Sequence, residues 1–342
     1  DYNKSKNLNI FKVINSLKTF SKISSTIRKV ANINTIAITG SCGKTSFKDL
    51  LSLSLKRLSS ISYSKNSFNN KFGVPLSLFD INFKDNFGVF EVGMDKKGEI
   101  DNLSKLINPN VGVITNISYA HIKNFKSIKD IASAKSELID NILPGGTLVI
   151  NRDDQFYYYF KKRAFKLNLN VISFSKSHDA DIRLIEVNNS NNDKFVKILF
   201  KGNVYKFKVS KDLIPYIENL LGVISVLSLY FDLKELNKNS FLNFKPTRGR
   251  GNVSTIKIRN KSFKLIDESY NSNPLSIKFS VNRFSSMNTT KNKKVLLLGD
   301  MLELGKFSKK LHQDIPGVIN NSKVDKVYVF GRYIKQVFNK IK

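Results

Sequence analysis

The sequence has a single cysteine, Cys42, in 342 residues. No disulfide can form within such a chain, and one lone thiol fits a reducing compartment. Long apolar runs are also missing. The longest, Leu220 to Phe231, carries Ser225 and Ser228 and is shorter than the roughly 20 residues a bilayer-spanning helix needs. No charged-then-apolar leader opens the sequence at Asp1, so the expectation is a soluble, cytoplasmic protein. Acidic residues are scarce: 27 Asp and Glu stand against 57 Lys and Arg, a formal net charge of +30. Such an excess points either to a polyanionic partner, nucleic acid or an anionic membrane surface, or to compositional drift. The lysines are spread along the whole chain, and Lys, Asn, Ile and Phe, all abundant, share AT-rich codons. A dedicated nucleic-acid patch is clustered, so drift is the reading taken, with neither nucleic acid nor membrane as partner.

What is present is a globular composition, with 41% hydrophobic and 11% aromatic residues, in a length that suggests two or three domains. Residues 1–30 read as a helix and linker, with Ile10, Val13, Ile14 and Leu17 near helical spacing. The first clear strand is Thr35 to Thr39, followed by a glycine loop and a helix from about Ser46 to Leu58. Strand-like runs recur at residues 88–92, 111–115 and 147–150, with helix-like stretches at 100–106 and 128–139 between them. This alternation predicts an α/β fold with a mostly parallel sheet. From about Ala180 to Val209 short alternating runs predict an antiparallel edge. A second α/β unit begins near Pro246, with strand-like runs at 263–267, 294–298 and 327–330. Its last strand lies close to the final residue, so this unit reads as incomplete.

Thr39-Gly40-Ser41-Cys42-Gly43-Lys44-Thr45 lies between a strand and a helix, the context in which a P-loop has meaning. Glycines let backbone N–H groups face a phosphate at the positive end of the following helix. Lys44 is placed to reach the β- and γ-phosphates, and the Thr45 hydroxyl to ligate Mg²⁺. One departure stands out: the usual pattern has a further glycine where Ile38 sits.

Five more segments fall in order along the chain. They are Asn66 to Pro75 (NSFNNKFGVP), Glu91-Val92-Gly93-Met94, Thr115 to His121 (TNISYAH), Asp267 to Pro274 (DESYNSNP) and Gly299 to Gly305 (GDMLELG). With the shorter TGxxGKT form of the P-loop, they make the chain resemble the Mur ligase family from about residue 10 to residue 335. The FNNxxGVP and DxSYNxNP segments resemble the branch that adds D-alanyl-D-alanine. The resemblance implies a central P-loop ATPase domain at 31–245 and a Rossmann-like C-terminal domain at 246–342. It also implies that residues 1–30 lead out of an N-terminal UDP-sugar-binding domain that this sequence does not contain. The implied activity is ATP-dependent amide ligation through an acyl phosphate, with ATP and Mg²⁺ as cofactors. The implied substrates are UDP-N-acetylmuramoyl-tripeptide and D-alanyl-D-alanine, in a monomeric enzyme of peptidoglycan synthesis.

Carried over residue by residue, the resemblance gives Lys44, His121 and Lys135 catalytic roles. It assigns ATP to Gly40, Ser41, Cys42, Gly43, Lys44 and Thr45, with Arg250 near the phosphates or ribose and Asn271 and Asn273 on the adenine side. Thr45, Glu91, His121 and Lys135 become the metal set, Lys135 as a carbamate. Asn69, Asn70, Thr115 and Asn116 face the substrate, and Asp300 and Glu303 lie on the acceptor side. Pro215 stands where family members often carry His. Other readings remain: a Mur or folylpolyglutamate-type ligase with another acceptor, against which DESYNSNP argues, a decayed paralogue, against which the intact Lys44, Thr45, Glu91, His121 and Lys135 argue, or a non-catalytic, basic, nucleic-acid-binding P-loop protein.

Overall fold

The structure, a computed structural model, describes residues 12–190, 194–236, 239–287 and 293–342. Its first element, α1 (Ser16–Val30), is started by Asn15, whose side chain accepts the Lys18 amide at 2.8 Å. The cap places the helix start later than the Ile10–Leu17 spacing predicts. Ile10 lies outside the described residues, and Val13 and Ile14 precede the cap and are exposed.

Next come β1 (Asn34–Thr39), α2 (Lys44–Leu55), β2 (Ile61–Tyr63), α3 (Gly73–Phe79), β3 (Phe87–Glu91), α4 (Glu99–Ile107) and β4 (Val111–Ile114). They continue into α5 (Ile128–Ser136), β5 (Thr147–Asn151), α6 (Tyr157–Lys166) and β6 (Asn170–Ser175). Then β7 (Ile182–Asn189), β8 (Lys194–Phe200) and β9 (Asn203–Lys208) lead to α7 (Ile217–Leu227). The strands form one nine-stranded sheet in the order β2-β3-β1-β4-β5-β6-β7-β8-β9. Pairing is parallel from β2 to β7 and antiparallel across β7, β8 and β9. This is the mostly parallel sheet with an antiparallel edge that the residue pattern predicts.

Alternation along the strands supplies two cores. Ile36 and Ile38 face one side with Phe47 and Leu51 of α2 and Leu220 and Leu221 of α7, and Ala37 faces the other, with Phe90 and Ile114. The apolar run excluded as a membrane span is α7, buried at nearly every position beneath the sheet. No helix among the described residues is long and apolar enough to cross a membrane.

The second unit contains β10 (Asn252–Ile258), β11 (Lys261–Asp267), α8 (Pro274–Ser286), β12 (Val295–Gly299), α9 (Ser308–His312), α10 (Ile315–Asn320), β13 (Lys326–Phe330) and α11 (Arg332–Val337). Among the described residues of this unit only β12 and β13 pair in parallel. The run at 263–267 does not join them; it is β11, which forms an antiparallel hairpin with β10. The reason is local: Arg259 takes a φ of 51°, and with Asn260 it turns the chain straight back on itself.

Gly222 in α7 gives the fold a sharp test. A Cβ built there lies 2.5 Å from Phe47 and 3.1 Å from Phe174, both buried. Gly222→Ala is expected to lose about 1–3 kcal/mol through overpacking despite alanine's better helix propensity. A urea unfolding curve with a lower midpoint and unchanged slope is the expected result.

Candidate active site

Strand order places the chemistry. With β1 between β3 and β4, the ends of the three strands lie side by side: Ile38 pairs with Glu91 and Thr39 with Ile114. Ligands of open α/β sheets bind at such carboxyl ends. The glycine loop runs from β1 into α2, which begins at Lys44 rather than near Ser46. Gly40 sits at φ 149°, and a Cβ there would lie 1.9 Å from the Thr115 hydroxyl, so only glycine fits.

The loop is braced from β4's side. Asn116 Oδ1 accepts the Cys42 amide at 2.9 Å, while its Nδ2 and the Thr115 hydroxyl donate to the Cys42 carbonyl at 3.1 and 2.7 Å. Ser41 donates its hydroxyl to the Ser118 carbonyl and accepts the Ser118 amide. From α7, Asn219 donates to the Gly43 carbonyl at 3.2 Å. Lys44 curls back to the Gly40 carbonyl at 2.9 Å. Burial holds its pKa below the usual lysine range, opposed by the Glu91 charge.

Under the loop lies Glu91, fully buried. Thr45 donates to its Oε2 and Asn69 Nδ2 to its Oε1, each at 2.7 Å. Among the described residues no cation lies within ion-pair distance of it. A buried unpaired carboxylate is costly. Hard oxygen donors on Thr45 and Glu91 suit Mg²⁺, whose charge offsets that cost.

The second unit closes over the loop. Asn273 caps α8 by accepting the Ser276 amide at 3.0 Å, and its Nδ2 donates to Cys42 Sγ at 3.0 Å. Arg250 packs 4.1 Å from the Tyr270 ring centroid and donates to Ser67 Oγ, itself 3.2 Å from the Thr45 hydroxyl. Tyr216 donates to the Arg250 carbonyl at 2.7 Å. Between the units is a cavity of about 1030 Å³. Burial raises the pKa of the Cys42 thiol, while the Asn273 hydrogen bond and the charges of Lys44, Lys135 and Arg250 lower it. Lys44 and Arg250 bring positive charge to the loop from both units, which makes a site for a polyphosphate.

Two matches decide the family. Residues 38–227 fit the Mur ligase middle domain, and residues 253–341 fit the Mur ligase glutamate ligase domain. The chain belongs to the Mur ligase family. Curated relatives include UDP-N-acetylmuramoyl-tripeptide–D-alanyl-D-alanine ligases of Rickettsia prowazekii and Buchnera aphidicola. The first is 29% identical over 96% of this chain and 72% of the relative. The second is 30% identical over 95% of this chain and 69% of the relative. Among solved structures, MurF from Acinetobacter baumannii matches with TM-score 0.85 at 24% identity over 98% of this chain and 73% of that one. MurF from Thermotoga maritima in complex with ADP matches with TM-score 0.80 at 21% identity, over 98% and 86%. At those identities the solved structures speak for the fold.

Within this Mur ligase the residues assigned from sequence take different places. Ser41, Cys42, Gly43, Lys44 and Asn116 line the cavity on the loop side, and Arg250, Asn271 and Asn273 on the other. Asn69, Asn70 and His121 also line it. Gly40, Thr45, Glu91, Thr115 and Lys135 lie behind that lining. Thr115 is buried with its hydroxyl on the Cys42 carbonyl, a loop brace and not the substrate-facing group the resemblance implies. Asn70 accepts the Phe72 and Gly73 amides, forming the turn into α3. Asp300 caps α11 through the Tyr333 and Ile334 amides. Glu303 reaches His121 instead, with Oε2 2.5 Å from Nδ1. Lys135 is buried, and burial together with the Lys44 charge holds its pKa well below the usual range. Sequence reading missed Ser67, Asp95, Asn219 and Tyr270. Asp95 follows the Glu91 segment directly, and Ser67 and Tyr270 lie within NSFNNKFGVP and DESYNSNP, whereas Asn219 carries no signal beyond its neighbours.

Lys44→Ala is expected to weaken ATP binding about ten- to a hundredfold through loss of a charge-assisted phosphate contact. Isothermal calorimetry with ATP and Mg²⁺ measures it, and equal affinities in the two proteins rule the role out.

Proposed function

We propose that this chain is an ATP-dependent amide ligase of peptidoglycan synthesis that adds D-alanyl-D-alanine to UDP-N-acetylmuramoyl-tripeptide. The carrying observation is the hydrogen-bonded line Thr45–Glu91–Asn69 beneath a P-loop, in a chain similar along nearly its whole length to ligases of that name. A terminal carboxylate oxygen attacks the γ-phosphorus of ATP, ADP leaves, and an acyl phosphate forms. The dipeptide amine then adds to the acyl carbon, phosphate leaves, and the amine's surplus proton is lost.

Phosphoryl transfer asks for positioning and charge neutralisation more than covalent help. Loop amides held by Asn116 and Thr115 cradle the phosphates, and Lys44 swings from the Gly40 carbonyl to the γ-phosphate. Arg250, steadied by Tyr270 and Ser67, brings a second cation from the opposite unit. Asn69 fixes the rotamer of Glu91 so that its carboxylate and the Thr45 hydroxyl face a common point. Thr45 and Glu91 would hold Mg²⁺ there, and the ion would supply charge neutralisation for phosphoryl transfer. Asn70 and Asn116 remain as cavity groups facing the tripeptide, and Asn271 as an amide for the adenine.

Lys135 acts as a carbamate. Burial favours its neutral amine, the form that adds to CO₂, and the new N–C bond releases one proton and leaves an anion. That anion suits a site where Lys44 already supplies positive charge. Lys135→Ala is expected to lower ligation about ten- to a hundredfold, with partial rescue by short carboxylates. Lys135→Arg, which keeps the wrong sign, is not rescued. Turnover measured at saturating ATP and Mg²⁺, with and without bicarbonate, checks this; a wild-type rate for Lys135→Arg reduces Lys135 to a packing residue.

The overall reaction is tested by incubating the protein with ATP, D-alanyl-D-alanine and the UDP-tripeptide. The expected product is the UDP-pentapeptide with stoichiometric phosphate release. Phosphate release that depends on the tripeptide and not on the dipeptide, with no pentapeptide formed, points to a different acceptor amine.

A further inference from the structure

The chain crosses into the second unit through residues 247–252, and both ends of that crossing are tied. Thr247 donates its hydroxyl to Asp49 Oδ2 of α2 at 2.6 Å, and the Gly251 amide donates to the Asp267 carbonyl at 2.7 Å. Arg250 lies between them. Tyr270 and Ser67 hold its guanidinium, and a separate line of donors holds its backbone. Arg283 of α8 donates from Nη2 to the Gly251 carbonyl at 2.9 Å and from Nη1 to the Tyr216 hydroxyl at 3.3 Å. Tyr216, which precedes α7 in the first unit, donates in turn to the Arg250 carbonyl at 2.7 Å. Two consecutive carbonyls are thus gripped by side chains from both units.

The fit around these groups is tight. The Arg283 side chain is 7% exposed, and Glu268 Oε1, 3.4 Å from Nη1, balances its charge. Phe244 and Phe279 pack the Tyr216 ring, with centroids 5.5 and 5.6 Å away. Burial pushes the Tyr216 pKa up to about 12, so the hydroxyl keeps the proton it donates. A buried guanidinium that loses its acceptors is costly, which holds Arg283 to this one arrangement.

We infer that Arg283 and Tyr216 are positioning residues for ATP, which together fix the backbone from which Arg250 reaches the phosphates. The inference rests on the reading of Arg250 as the second cation of the phosphate site. Tyr216 lines the cavity and Arg283 lies buried behind it, so Arg283 acts through Arg250. The link needs the shape of the guanidinium as well as its charge: a planar fork reaches the Gly251 carbonyl and the Tyr216 hydroxyl at once, which a lysine ammonium does not. A crossing held in this way aims Arg250 before nucleotide arrives, so less ordering is left to accompany binding.

A double-mutant cycle on the full chain, read by calorimetry with ATP and Mg²⁺, tests the link. Tyr216→Phe, which keeps the ring and removes one hydroxyl, is expected to weaken ATP binding about three- to tenfold, and Arg283→Gln about tenfold or more. Arg250→Ala is expected to weaken it as well, and in that background either further change alters affinity by less than about twofold. Arg283→Lys keeps the charge without the fork and is expected to bind ATP as weakly as Arg283→Gln. Should circular dichroism show Arg283→Gln unfolded, Tyr216→Phe completes the cycle alone. Losses of equal size with and without Arg250, or wild-type affinity in Tyr216→Phe or Arg283→Lys, overturn the inference and leave Arg250 its role. Wild-type affinity in Arg250→Ala removes the phosphate role of Arg250 itself, and the inference with it.

Discussion

A carboxylate buried away from solvent governs this molecule. Glu91 is sealed at the end of a central strand, and its two oxygens are claimed by one hydroxyl and one amide. That arrangement requires β3 beside β1, the P-loop threonine directly above, and the 66–70 loop folded back so that Asn69 can reach down. Displacing any of these leaves a buried anion without donors, which costs several times what an ordinary surface contact contributes. The strand order, the helix start at Lys44 and the turn made by Asn70 can all be read as conditions for keeping Glu91 satisfied.

The two units meet through few, directional contacts. Asn273 touches the loop cysteine, Arg250 crosses to Ser67, and buried Arg283 donates to the Tyr216 hydroxyl at 3.3 Å. An apolar seam also joins them, with Met301 and Leu304 in the same core as Ile122. A seam of this kind, lined by hydrogen bonds to a loop that holds a ligand, senses whether the ligand is present.

Much of this was legible in the chain because it is local. The P-loop declares itself through strand, glycines and helix in sequence, and the alternation of apolar runs gives the parallel sheet with its antiparallel edge. Local signals also mark where the reading went astray. The run at 263–267 is a strand as its composition predicts, but it pairs with the preceding β10, which the sequence reading did not pick out. Thr115 carries a motif whose direction a sequence cannot give: its hydroxyl turns inward to the loop, not outward to a substrate. The partnership of His121 with Glu303 joins residues 182 positions apart, and nothing in either segment announces the other.

The helix α7 has a consequence for how the chain reaches this state. It is buried at all but one position and follows the last strand of the sheet, so in order of synthesis it emerges after the strands it packs against. Until the strands pair across long stretches of chain, as β1 must with β3 and β4, that pocket is open to solvent. A topology so rich in distant pairings assembles slowly, and during that interval both the bare sheet face and the emerging helix are sticky surfaces. The burial that makes α7 the keel of the finished domain therefore leaves apolar surface open in the nascent chain until the sheet has paired.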